Sequence, residues 1–336
     1  MTQLPISVCF WNYDRTLPMV DGRVKIDGCK PNFDIRRPED AFERAFKSAE
    51  YDITELSLSR YMAKIAKENF EYDCIPVFPS RAFRHGAIFI RTDRGINSPK
   101  DLKGKKLGLL DFEMTAALVV RGMLGDDYSV AATDIDWVVG FVEDKDGDNP
   151  VFQRDIVKTS ENISISHAPK NISLNTLLMD GEIDGIIGLY EPSCIKAGAP
   201  VARLFSNWRN EEQKYFKQTG IFPIMHTIGI RKNLLHEHPW LARNVFKAFC
   251  LAKDVAIREL QVPQASKVTL PWVVAEYVNT LHVMGKDFWP YGFKPNQRVL
   301  EAMINWSYRE GLISRKLSAK ELFLTEFIEN DRRANA

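Results

Sequence analysis

Two histidines stand at predicted strand ends, where they could act as general acids. His226 closes the loop of "GIFPIMH" (220–226) and opens an apolar run, and His85 precedes another apolar run in "RAFRHGAIFI" (81–90). An imidazole titrates near neutral pH, so it can donate or accept a proton there. Each histidine can equally fill the end of a buried strand, and the residue type alone does not decide between the two.

Cationic and hydroxyl side chains that could bind an anion lie near the same predicted strand ends. They are Arg15, Ser57, Ser59, Arg81, Arg84 and Thr115. An arginine can grip a carboxylate with two hydrogen bonds, and the first turn of a helix offers free N–H groups to an anion. The alternatives that involve no ligand are a surface ion pair for Arg15 and helix capping for the serines. Two or more arginines at one pocket would suit a dicarboxylate.

Three further candidates flank other predicted strand ends. Glu191 lies in "LYEPS" and is another candidate acid, although an isolated Glu before Pro is usually solvated. Tyr190 precedes it, and Met114 precedes Thr115. We expect Tyr190 and Met114 to line the ligand pocket.

Strand-like and helix-like segments alternate along the chain, which predicts an α/β fold with largely parallel sheets. Strands are predicted at 6–11, 51–56, 86–90, 106–110, 135–140, 184–189 and 226–231. Helices are predicted at 38–49, 58–67, 115–124 with Gly125 as its stop, 174–180, 239–259, 272–283 and 296–310, and 143–170 is predicted to be largely loop. Ligands of such sheets bind beyond the carboxyl ends of the strands, where the candidate residues lie.

Length and charge limit the classes of protein that this chain can represent. Its 336 residues favour two lobes over one. We place lobe 1 at 1–104 and 226–336, including the C-terminal helices, and lobe 2 at 105–225. A net charge of +1, from 45 basic and 44 acidic residues, argues against nucleic-acid or anionic-membrane partners.

The start of the chain and its cysteines favour a cytoplasmic protein. No apolar run approaches the roughly 20 residues that span a bilayer, and the first residues carry no signal-peptide pattern. Five cysteines form no CxxC pair, which suits reduced thiols. We therefore expect a cytoplasmic location.

Motifs for cofactors and metals are absent from the sequence. It contains no GxGxxG, no Walker loop and no GxSxG elbow. The stretch "DKDGDNP" (144–150) has its Gly at the wrong position for a calcium loop, and His236 and His238 lack further ligands at a defined spacing. We predict no metal and no cofactor.

The order of these segments resembles the type II periplasmic-binding-protein fold, in which two α/β lobes around a central cleft are joined by two crossing segments. Here a helical C-terminal tail follows. More specifically, nearly the whole chain resembles the 4,5-dihydroxyphthalate decarboxylase family. The stretches that carry the resemblance are "YDRTLPMVDGRVKIDG" (13–28), "YDITELSLSRY" (51–61), "RAFRHGAIFI" (81–90), "TAALVVRGML" (115–124), "GIFPIMH" (220–226) and "DFWPYGFKPNQRVLEAMINWSYREGLISRKLSAKELF" (287–323). The last is the most distinctive, and we expect it to lie far from the site.

The resemblance implies a cofactor-independent enzyme, a cytoplasmic homo-oligomer that removes one carboxylate from 4,5-dihydroxyphthalate to give 3,4-dihydroxybenzoate. His226 would then protonate the ring carbon, with His85 or Glu191 as the next candidates. Arg15 and Arg84 would hold the retained carboxylate, and the three hydroxyls would complete its hydrogen bonds. The alternative on the same fold is a solute-binding protein for a small organic anion that performs no chemistry.

Overall fold

The computed structural model describes residues 3–68, 70–146, 157–160 and 162–329. Within these residues the strands are β1 Leu4–Phe10, β2 Cys29–Ile35, β3 Ile53–Ser57, β4 Tyr72–Ile75, β5 Ile88–Arg91, β6 Lys106–Leu109, β7 Asp136–Val139, β8 Ile165–His167, β9 Gly185–Ile187, β10 Val201–Arg203 and β11 His226–Arg231. The helices are α1 Leu17–Val20, α2 Pro38–Ser48, α3 Leu58–Ala66, α4 Thr115–Tyr128, α5 Leu174–Asp180, α6 Trp208–Thr219, α7 Lys232–Glu237, α8 Leu241–Leu260, α9 Val273–Met284, α10 Gln297–Arg309 and α11 Glu326–Glu329.

The first sheet has the strand order β2-β1-β3-β11-β4. Strand β1 pairs parallel with β2 and β3, whereas β11 runs antiparallel between β3 and β4. All five residues of β3 are buried, as in a central strand that is covered on both faces. A strand from late in the chain thus completes a sheet that the first 75 residues begin.

The second sheet has the strand order β10-β5-β9-β6-β7-β8. Strands β9, β6, β7 and β8 are parallel, and β5 runs antiparallel to β9 and β10. Because β5 pairs in this sheet, sheet membership alone would put the first crossing before Ile88, upstream of the predicted boundary at 104/105. The lobe boundaries themselves stay a prediction.

The two segments that pass between the sheets pair with each other. Arg81 and Ile224 form an antiparallel bridge, and the N–H of Ala82 donates to the carbonyl of Pro223 at 3.1 Å. The N–H of Met225 donates to the carbonyl of Ser80 at 2.9 Å. Two sheets with helices between their strands, joined by two paired crossing segments, confirm the predicted fold class.

Helix α10, in the C-terminal tail, packs closely against α4, the helix that follows β6 of the second sheet. A Cβ at Gly122 of α4 would lie 2.1 Å from the Trp306 ring, so only glycine fits there. Next to this contact, Arg121 and Glu310 form a buried ion pair at 2.7 Å. The tail is therefore an integral part of the fold.

The structure departs from several predicted elements. Gly125 does not end α4, which continues to Tyr128 and ends where Ser129 adopts a left-handed conformation with φ 59°. Strands β2, β4 and β10 and helices α1, α6, α7 and α11 were not predicted, and β8 lies in the predicted loop 143–170. The calcium-like stretch is described only for 144–146, a single helical turn, and 147–150 lie outside the described residues. None of the described helices is both long enough and apolar enough to cross a membrane.

Candidate active site

Strand pairing places His226 beside a buried carboxylate. His226 lies directly opposite Ser57 in the antiparallel β3–β11 pair, and Glu55 precedes Ser57 by two residues on β3. Opposite residues and residues two apart share a face of the sheet, so all three side chains lie on one face. The Nδ1 atom of His226 is 2.5 Å from Oε1 of Glu55.

Glu55 is fully buried, with 0% of its surface exposed, and two further groups donate hydrogen bonds to it. The Tyr13 hydroxyl donates to Oε1 at 2.7 Å, and the N–H of Trp11 donates to Oε2 at 3.0 Å. Burial opposes ionisation of this carboxyl, but the charge and hydrogen bond of His226, followed by these two donors, hold its pKa below the usual value. Glu55 is therefore a buried carboxylate.

The Glu55 contact fixes the orientation of the His226 ring. A carboxylate at Nδ1 accepts the proton of that nitrogen, which leaves Nε2 for a ligand. No residue in the described ranges makes a hydrogen bond to Nε2. The ring packs edge-on against Phe42 with centroids 4.8 Å apart, and 15% of the side chain remains exposed. Together these contacts hold the histidine with one nitrogen available.

Three predicted hydroxyl residues converge where β3 meets the start of α4. The Ser57 hydroxyl lies 3.0 Å and the Ser59 hydroxyl 2.9 Å from the hydroxyl of Thr115. Ser59 also donates to the carbonyl of Glu113 at 2.6 Å. Because β3 belongs to the first sheet and α4 follows β6 of the second, these contacts join the two sheets at the candidate site.

Arg15 approaches the same group from the loop after β1. Its Cζ lies 4.2 Å from the ring centroid of Tyr13, whose hydroxyl binds Glu55. Its Nε donates to the carbonyl of Pro79 at 2.6 Å, and its Nη1 pairs with Asp14 at 3.0 Å. The predicted cation therefore lies next to the Glu55–His226 pair.

Arg84 lies beside Met225, the residue before His226, and its guanidinium has few hydrogen-bond acceptors. Its Nη2 contacts the thioether sulfur of Met225 at 3.0 Å, a weak acceptor, and its Nε is buried without a hydrogen bond in the described structure. Burial lowers the pKa of Arg84 to about 10, although the charge of Glu212 opposes the shift. Burial in turn raises the pKa of Glu212 to about 7. An anionic ligand would supply the acceptors that Arg84 lacks.

Arg81 uses its guanidinium for contacts within the fold. Its guanidinium donates to the carbonyls of Pro290 and Phe222 and to the side chain of Asn296, at 3.2, 2.7 and 2.8 Å. Burial lowers its pKa to about 9. These contacts tie the first crossing segment to the second and to the tail.

His85 is enclosed by aromatic rings. Tyr128, Phe205 and Tyr215 pack edge-on against it, and neither ring nitrogen has a hydrogen-bond partner in the described structure. Burial lowers the pKa of His85 to about 4, which Glu211 only partly opposes. The structure therefore keeps this histidine neutral and enclosed by aromatic rings.

The remaining predicted residues are Glu191, Tyr190 and Met114. Glu191 is exposed and pairs with Arg203 at 3.2 Å, and Tyr190 is 86% exposed. Met114 occupies the position before α4, without a side-chain hydrogen bond to the helix, and packs against the main core. Within the described residues, no group of three or more His, Cys, Asp or Glu side chains could hold a metal ion.

Sequence patterns did not reveal three residues of the site. Glu55 stands in the middle of a strand that is buried along its whole length, and such a position is itself a signal, because a buried Glu is almost always paired. Tyr13 gave no signal beyond its place in "YDRTLPMVDGRVKIDG" (13–28). Trp289 lies in the tail motif that we expected far from the site, yet its ring centroid is 4.2 Å from Cζ of Arg15. That expectation was wrong because the tail folds back over the crossing segments.

Comparison with known proteins gives relatives along the whole chain. Residues 84–140 match the family model described as NMT1/THI5 like. The chain is 44% identical over 331 residues to a 4,5-dihydroxyphthalate decarboxylase of Comamonas testosteroni, across 98% of this chain and 99% of that protein. It is 43% identical over 200 residues to a 4,5-dihydroxyphthalate decarboxylase of Pseudomonas putida, across 60% of this chain and 76% of that protein.

Solved structures show the same fold at low identity. The periplasmic aliphatic sulphonate binding protein SsuA from Escherichia coli aligns with 97% of this chain and 99% of its own, with a TM-score of 0.54 and 13% identity. This likeness supports the two-sheet binding-protein architecture. Identity along almost the full length of both chains to the Comamonas testosteroni protein shows that this chain belongs to the 4,5-dihydroxyphthalate decarboxylase family.

Proposed function

We propose that this protein is a carboxy-lyase that converts 4,5-dihydroxyphthalate into 3,4-dihydroxybenzoate and CO₂ without a cofactor. The observation that carries the proposal is the Glu55–His226 pair, with its 2.5 Å contact and its available Nε2 atom. The names of the two relatives support the substrate.

His226 is the proton donor in the proposed reaction. The ring hydroxyl para to the leaving carboxylate donates electron density to the carbon that bears it. Protonation of that carbon by Nε2 makes the ring an electron sink, so the C–C bond electrons return to the ring as CO₂ departs. The Glu55 carboxylate stabilises the imidazolium before transfer and holds the ring in place.

The carboxylate that the product retains would be held by Arg15 and Arg84. Arg84 supports this role because its buried guanidinium is poorly partnered. Ser57, Ser59 and Thr115 would exchange some of their mutual hydrogen bonds for bonds to the substrate. Enclosure between the two sheets would keep water from the charged intermediate.

The test is turnover of a panel of hydroxylated benzene carboxylates, followed by CO₂ release and ultraviolet absorbance, with the unchanged protein and His226→Ala. Positioned acid–base groups contribute about 10²- to 10⁴-fold, so His226→Ala should raise the barrier by roughly 3 to 5 kcal/mol. Wild-type turnover by His226→Ala would refute the role of this residue. Tight binding without CO₂ release would favour the solute-binding alternative.

We further propose that the protein is a homo-oligomer, as the family resemblance implies. The support is a set of exposed apolar side chains near α9, with Trp272 at 74% and Val278 at 58% exposure. Burial of such side chains against a second copy would remove apolar surface from water. The cytoplasmic location stays a prediction.

A further inference from the structure

Trp289 gives the guanidinium of Arg15 a second aromatic face. The Cζ atom of Arg15 lies 4.2 Å from the ring centroid of Trp289 and 4.2 Å from that of Tyr13. A guanidinium over an aromatic face is attracted by the ring quadrupole, most strongly over Trp. The Nε hydrogen bond to Pro79 fixes one edge of the same group. Arg15 is therefore held by its face and by one edge.

Trp289 is in turn held by both crossing segments. Its Nε1 donates to the carbonyl of Phe78 at 2.9 Å, and its ring packs edge-on against Phe222 with centroids 5.3 Å apart. Its own carbonyl accepts a hydrogen bond from Nζ of Lys253 at 3.2 Å. The indole cannot shift without disturbing the segments that join the two sheets.

One edge of the Arg15 guanidinium remains available. Nη1 pairs with the exposed Asp14, and Nη2 has no acceptor among the described residues. The side chain is 17% exposed, so a small anion can reach it. Tyr13 links the guanidinium to the catalytic pair, because its hydroxyl donates to Glu55.

We propose that Trp289 is a positioning residue, which aligns the free edge of Arg15 with the carboxylate that the substrate retains. This inference rests on the proposed function. It adds a basis for substrate specificity, because a site built around a fixed guanidinium selects aromatic acids over neutral aromatic diols. Trp289 belongs to the tail motif, about 270 residues after Arg15 in the sequence.

The experiment measures direct binding of two ligands by calorimetry, 3,4-dihydroxybenzoate with its carboxylate and catechol without one. Trp289→Leu should weaken binding of 3,4-dihydroxybenzoate roughly 3- to 30-fold, the range of a cation–π contact, and leave catechol within about twofold. Trp289→Tyr keeps an aromatic face and should restore most of the loss. Trp289→Leu combined with Arg15→Ala should be little worse than Arg15→Ala alone.

Phe288→Leu is the matched control, since Phe288 is the neighbouring aromatic residue and packs on Tyr277. It should bind both ligands like the unchanged protein. Equal losses for both ligands, additive losses with Arg15→Ala, or no binding of 3,4-dihydroxybenzoate to the unchanged protein would each overturn the inference. If Trp289→Leu does not fold, Trp289→Phe and Arg15→Ala provide the same two-ligand comparison.

Failure of the proposed function gives a different result. A protein that releases no CO₂ but shows the two-ligand selectivity would disprove the decarboxylase assignment and leave the role of Trp289 intact. A protein that decarboxylates while Trp289→Leu shows unchanged selectivity would disprove the role of Trp289 alone.

Discussion

Glu55 stays charged although none of its surface is exposed, because neighbouring groups replace the hydrogen bonds that water would make to the carboxylate. Tyr13 and Trp11 donate hydrogen bonds to it, and Nδ1 of His226 makes a further hydrogen bond at 2.5 Å. Removal of one partner from such a buried pair leaves the other uncompensated, so the pair functions as a unit.

We predict that Glu55→Gln lowers kcat on the order of 10²- to 10⁴-fold at neutral pH, because the amide can still contact Tyr13 but cannot stabilise an imidazolium. Initial rates of CO₂ release measure the effect, and circular dichroism confirms the fold. Glu191→Gln is the matched control, since Glu191 is exposed on the surface, and it should stay within about twofold. Full activity in Glu55→Gln would mean that His226 does not need this carboxylate.

His85 provides a prediction for the dependence of stability on pH. Its pKa falls to about 4 in the folded protein because of burial, whereas an unfolded histidine titrates near 6.5. The unfolded state therefore binds the proton first as pH falls, and stability decreases from about pH 6.5 down to pH 4. By pH 5 this group alone should cost about 2 kcal/mol.

The variant His85→Phe should remove that pH-dependent loss and keep activity at pH 7, since the ring lies among aromatic side chains. Urea unfolding at pH 5 and pH 7 measures the difference. His236→Gln, at an exposed histidine, should unfold like the unchanged protein. The same loss of stability between pH 7 and pH 5 in His85→Phe would show that another group causes it.

The candidate site was only partly predictable from single residues. His226, Ser57, Ser59, Thr115 and Arg15 follow from the rule that ligands bind at strand ends, and the structure brings them together. His85 satisfies the same rule, but the aromatic rings around it come from 128, 205 and 215, and a local pattern cannot show that enclosure. Glu55 looked like a strand interior because its partner strand lies about 170 residues away.

Helix α4 shows how tertiary packing overrides a local signal at the scale of an element. Gly125 favours a helix end in the sequence, but the helix continues past it because α10 packs along this face. Gly122 marks the closest approach, where Trp306 lies against the backbone. Glycine in α4 therefore serves packing, whereas Ser129 ends the helix.

We predict opposite outcomes for two glycine substitutions in α4. Gly122→Ala should destabilise the protein by about 3 kcal/mol, because its Cβ would meet the rigid Trp306 ring at 2.1 Å. Gly125→Ala should be neutral or stabilise by about 0.5 to 1 kcal/mol, because its nearest neighbour is the flexible end of Arg309 at 3.0 Å and alanine favours helices. Chemical denaturation compares them, and equal stabilities would contradict the packing explanation.

At the scale of the whole molecule, the alternation of helices and strands was sufficient to predict the fold class. It did not predict the sheet order, because β5 pairs with strands that follow it by about 100 residues. The edge strands β4 and β10 are only four and three residues long and carry little periodicity. The position of the tail over the crossing segments depends on contacts such as Arg81 with Asn296, which no local pattern encodes.

We predict that the protein self-associates through the region of α9. Val278→Glu places a charge within the exposed apolar side chains and should shift the protein from an oligomer towards the 38.5 kDa single chain. Light scattering after size exclusion measures the mass. Lys170→Glu, at another exposed position, should leave the mass unchanged. A wild type that already runs as a single chain would contradict the proposed oligomer.

The position of β11 between β3 and β4 has a consequence for biosynthesis. The strands of the second sheet all lie between residues 88 and 203, so that sheet can close while the ribosome is still working. The first sheet must wait until residue 231, and until then β3 and β4 have open edges that invite aggregation. A chain whose translation stops before residue 226 thus lacks both a closed first sheet and His226, and its β3 and β4 keep the edges that β11 would cover.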